Sequence, residues 1–72
     1  MTNLAFPILY ITRREHGHTQ KNVAQKLSIS PQRYQLKESG KANFTLPEAR
    51  TLSKMYGIPI EQLFSTEFPV AQ

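Results

Sequence analysis

Residues 19–40 read Thr19-Gln20-Lys21-Asn22-Val23-Ala24-Gln25-Lys26-Leu27-Ser28-Ile29-Ser30-Pro31-Gln32-Arg33-Tyr34-Gln35-Leu36-Lys37-Glu38-Ser39-Gly40. Thr19 is a residue type that caps a helix start. Val23, Ala24 and Leu27 follow at helical spacing, with Lys21, Gln25 and Lys26 on the other face. Ser28-Ile29-Ser30-Pro31 then breaks the pattern. Ser30 suits an N-cap. Pro31 suits the first helical position, where a missing amide costs no intrahelical bond. A new helix starts there abruptly and runs to about Glu38, stopping at Ser39-Gly40.

Outward from this stretch the punctuation again favours helices over strands. An N-terminal helix is expected over residues 6–16, with Pro7 tolerated in its opening turn and Gly17 as its stop. Residues 41–44 form a loop. Thr45-Leu46-Pro47-Glu48 reads as a capping box, with Glu48 reaching back to the Thr45 amide. The helix it opens buries Ala49, Leu52 and either Met55 or Tyr56, and Gly57 ends it. A last helix starts at Ile58-Pro59 and turns Ile60, Leu63 and Phe64 inward. The chain therefore reads as one all-α, five-helix domain over residues 1–65, with a tail over residues 66–72.

Size and composition narrow the function. A chain of 72 residues is one small domain with no room for a large catalytic cleft. It has no cysteine, which removes disulfides, thiolate metal sites and thiol nucleophiles together. The longest apolar stretch, residues 4–11, contains Pro7 and falls far short of a membrane span of about 20 residues. No signal peptide is expected, and the protein is expected in the cytoplasm. His16 and His18 have no carboxylate cluster beside them and read as surface histidines rather than metal ligands. No paired carboxylates or nucleophile–base sets converge, so no enzyme activity, cofactor or small-molecule substrate is expected.

The charge is uneven. The chain carries +4, but residues 1–41 hold seven basic side chains against two acidic ones, a net +5, whereas residues 42–72 are net −1. The first part is a candidate for contact with a polyanion.

Two short helices joined by a tight turn, the second sharply capped, describe a helix-turn-helix over about residues 19–39. Residues 19–30, the run Glu38-Ser39-Gly40-Lys41 and residues 52–64 together resemble the Cro/C1-type (XRE) family of regulators. The resemblance implies a compact lambda-repressor-like DNA-binding domain. It implies that Ala24 lies where the two motif helices cross and that Val23, Leu27 and Ile29 wedge them apart. It pairs Arg13 with Glu38, a bidentate arrangement that sets geometry.

By the same resemblance the third helix enters the major groove, and Gln32 and Arg33 are the base readers. Gln20, Lys21, Lys37 and Lys41 meet the phosphate backbone, with Arg14 adding general attraction. Members usually act as dimers on operator DNA. Ile60, Phe64, Phe68 and Val70 are the expected dimer surface. The domain is expected to be similar to the small Cro and repressor proteins of temperate phages and mobile elements.

Some positions depart from the family pattern. Ser28 stands for the usual turn glycine, Tyr34, whose hydroxyl needs a partner, for a β-branched core residue, Lys37 for an apolar one, and Leu36 and Pro31 for polar readers. A rolled third helix, with Leu36 inward and Lys37 outward, restores an ordinary core and is the favoured placement. The alternative exposes Leu36 and points to a second function. The protein would then be a modulator that pairs with a partner repressor through Gln32, Tyr34, Leu36 and Phe44 and alters its DNA binding.

Overall fold

Pro7 opens the first helix in a computed structural model that describes residues 5–66. Five helices follow one another, α1 (Pro7–Glu15), α2 (Gln20–Lys26), α3 (Pro31–Glu38), α4 (Leu46–Tyr56) and α5 (Ile60–Leu63). No strand occurs among the described residues. Phe68 and Val70 lie outside them.

Capping explains the boundaries. Thr19 Oγ1 accepts from the Asn22 amide at 3.1 Å, and Asn22 Oδ1 accepts from the Thr19 amide at 3.0 Å, a reciprocal box at the start of α2. Ser30 Oγ accepts from the Arg33 amide at 3.1 Å, and Pro31 takes the first position of α3. The box at Thr45 and Glu48 forms as expected, with Glu48 Oε1 accepting from the Thr45 amide at 2.9 Å. Gly57 closes α4 in the left-handed conformation.

Gly40 is needed for two reasons. Its φ is +84°, and a Cβ there would stand 2.8 Å from the Cβ of Ala5.

The α2–α3 turn carries Ser28 at φ +59°, a left-handed conformation that glycine adopts freely and that strains a serine. Ser28 is exposed. Ser28→Gly is therefore expected to raise unfolding stability by up to about 1 kcal/mol. A urea titration with unchanged slope and a higher midpoint checks it.

Leu9, Val23, Ala24, Tyr34, Leu52, Tyr56 and Leu63 form the core, with contributions from all five helices. Ala24 is fully buried where α2 meets α3, and Leu27 and Ile29 pack at the margin. Of the two candidates near the end of α4, Tyr56 is buried and Met55 packs beside the core. Phe6, Phe44 and Phe64 close one side in a triad of edge contacts, with ring centroids 5.0–5.8 Å apart.

Candidate nucleic-acid interface

One carboxylate sets how α3 is rolled. Arg13 donates through Nε to Glu38 Oε2 at 2.8 Å and through Nη2 to Oε1 at 3.1 Å. Tyr34 Oη donates to Oε2 at 2.5 Å, and Gln20 Nε2 donates to Oε1 at 3.1 Å. Arg13 spends its remaining Nη1 on the His18 carbonyl at 2.8 Å. Glu38 therefore ties α1, the first residue of α2 and one face of α3 to a single point. Every buried side-chain polar atom among the described residues has a partner.

The network perturbs its members. Burial disfavours charge on Arg13, but the hydrogen bonds and attraction of Glu38 outweigh it and hold the guanidinium above its ordinary range. Burial, together with the bond to Glu38, pushes the Tyr34 phenol far upward. A phenol raised in the folded state stabilises the fold at pH values below its unfolded pKa of 10.0, and that contribution is lost as pH rises above it. Alkaline titration of stability is thus expected to fall away above pH about 10 and to be shallower in Tyr34→Phe. At neutral pH that variant is expected to lose about 1–3 kcal/mol with the hydrogen bond. Circular dichroism melts from pH 8 to 11 read both effects.

With Tyr34 and Glu38 turned inward, Pro31, Gln32, Arg33, Gln35, Leu36 and Ser39 are exposed. The rolled helix does not occur. Leu36 is 45% exposed, whereas Tyr34 is fully buried. Tyr34 wins the inward position because its ring packs edge-on to Phe44 and its hydroxyl finds Glu38 one turn on. Lys37 is accommodated without being inward-facing in the ordinary sense. Its stem is covered and its Nζ reaches Glu48 Oε1 at 2.6 Å, the carboxylate that also caps α4. Burial of the Glu48 carboxyl works against its charge, but Lys37 and the Thr45 amide prevail and lower its pKa.

Two assignments change accordingly. Tyr34 is removed from any partner surface by its burial, and Phe44 is half-buried in the phenylalanine triad. Lys37 is engaged with Glu48, so its charge is not free for phosphate. Gln32 and Arg33 stand exposed at the start of α3, with Lys21 and Lys41 exposed to either side in sequence. Gln20 is half-buried and fixed by Glu38. An open cleft beside it is lined by Arg14, Thr19, Lys21 and Pro31. Arg14 is held there by Tyr10, whose hydroxyl accepts from Nη1 at 3.1 Å.

The Gln20 bond, 18 residues from its acceptor, was not foreseen, nor was the Lys37–Glu48 pair. No periodicity links such distant positions. The rings of His16 and His18 lie tilted beside Tyr56, with His18 Nδ1 2.9 Å from the Tyr56 hydroxyl. No group of three metal-ligating residues occurs among the described residues. No helix among them is long and apolar enough to cross a membrane.

A helix-turn-helix family (HTH_3) matches residues 9–63, a span that holds all five helices except the first two residues of α1. No curated protein and no solved structure matches the chain.

Proposed function

The chain belongs to the Cro/C1-type helix-turn-helix family of DNA-binding regulators, and on that footing we propose that it is a small regulator of phage or mobile-element type that reads operator DNA with α3. The observation that carries this is the outward face of α3. Gln32 and Arg33 project near its capped start while Tyr34 and Glu38 lock its back. Gln32 suits adenine and Arg33 suits guanine. Lys21, Lys41 and Arg14 supply attraction to phosphates, and Gln20 is held ready beside them. One such helix reads few bases, so the acting unit is a dimer on half-sites about 34–36 Å apart, in the cytoplasm.

The exposed Leu36 favours a second reading, a modulator that pairs with a partner repressor. That reading is the weaker one, since burial takes Tyr34 from its surface and Phe44 is half committed to the core.

Mobility shifts separate them. The purified protein is expected to retard duplexes from beside its own gene, with affinity falling steeply as salt rises. Failure to bind any duplex at low salt, with co-purification of a repressor, reverses the order.

A further inference from the structure

We propose that Leu36 is a specificity residue that reads the 5-methyl group of a thymine, an inference that rests on the DNA-binding reading above. Leu36 is 45% exposed on the same stripe of α3 as Gln32, one turn earlier. Its side chain has no hydrogen-bonding atom, so it cannot read a base edge as Gln32 can. The one apolar group that an unmodified base pair presents in the major groove is the thymine methyl.

Its backbone is held in place. The Leu36 carbonyl accepts from the Lys41 amide at 2.8 Å, the Ala42 amide at 3.1 Å and the Ser39 hydroxyl at 3.0 Å. The Leu36 backbone is therefore fixed before binding, and no main-chain ordering is added there when DNA is met. The surroundings favour DNA over a protein partner. The other exposed residues on α3 and just beyond are Pro31, Gln32, Arg33, Gln35, Ser39, Gly40 and Lys41, of which Pro31, at the first position of the helix, has the only apolar side chain. A lone leucine in a polar, basic surface suits a methyl in a groove better than an apolar docking patch.

The geometry also gives a register. The four residues from Gln32 to Leu36 advance about 6 Å along the helix, and base pairs are about 3.4 Å apart. The thymine is therefore expected within about two steps of the base pair under Gln32.

The test begins with the best duplex selected from a random pool by the wild-type protein. Each thymine is replaced in turn by uracil, which deletes the methyl and keeps the pairing edge. Binding is read by fluorescence anisotropy at one salt concentration. One uracil position per half-site is expected to weaken the wild-type protein about fourfold, the effect of one buried methyl. Leu36→Ala, checked for an unchanged melting temperature, is expected to bind the thymine duplex more weakly and to ignore uracil at that position. Tight binding by the wild-type protein that no uracil replacement weakens overturns the role of Leu36 and leaves the DNA reading intact. A selection that yields no bound duplex overturns both. Loss of repressor co-purification in Leu36→Ala would then give that side chain to a protein partner.

Discussion

Glu38→Ala is expected to lower the melting temperature by roughly 12–40 °C. The substitution leaves Arg13, whose side chain is 8% exposed, without its carboxylate. Removing one member of a buried pair costs about 3–5 kcal/mol, and for a domain of this size each kcal/mol shifts the melting temperature by about 4–8 °C. Tyr34 and Gln20 lose their acceptor in the same step. A domain this small holds only about 4–11 kcal/mol in total, so the variant stands near the edge of folding. Glu38→Gln keeps the shape, removes the charge and is expected to fall between the two. Arg13→Met combined with Glu38→Leu removes both charges and is expected to recover part of the loss, because a neutral pair leaves no buried ion behind. Scanning calorimetry of the three variants checks the order. A Glu38→Ala melt within a few degrees of the wild type would mean that the hub does not hold α3.

Gln32→Glu combined with Arg33→Glu is expected to cut operator affinity by about a hundredfold or more with little change in melting temperature. Both residues are exposed, so the core does not register the change. Each lost base contact is worth about 1–3 kcal/mol, and each new carboxylate meets a phosphate-lined groove. The double variant separates function from folding in a way Glu38→Ala does not. Anisotropy titration against the selected duplex, paired with a melt, reads both quantities.

The helix boundaries were readable from the chain because caps are local. Ser30-Pro31 and Thr45-Glu48 act within four residues. The box at Thr19 escaped in part, since Asn22 stands in the place of the usual glutamate or glutamine. The Arg13–Glu38 pair spans 25 residues and was expected only through the family resemblance.

The roll of α3 was misread for a physical reason. Counting apolar side chains sends leucine inward and lysine outward. That count ignores a tyrosine that satisfies its hydroxyl on Glu38 and a lysine whose stem can be covered when Glu48 waits at the end of it. Partners of that kind become visible only when distant elements are brought together. The same blindness hid the bond from Gln20 to Glu38, which fixes the Gln20 side chain at the start of α2.

The central claim is that the outward face of α3 meets the DNA. An NMR titration of the isotope-labelled protein with its selected duplex tests it most directly. The largest amide and side-chain shifts are expected on Gln32, Arg33, Gln35 and Leu36, with a second group at Gln20 and Lys21. Shifts concentrated on α4 and α5, with α3 unmoved, would contradict it.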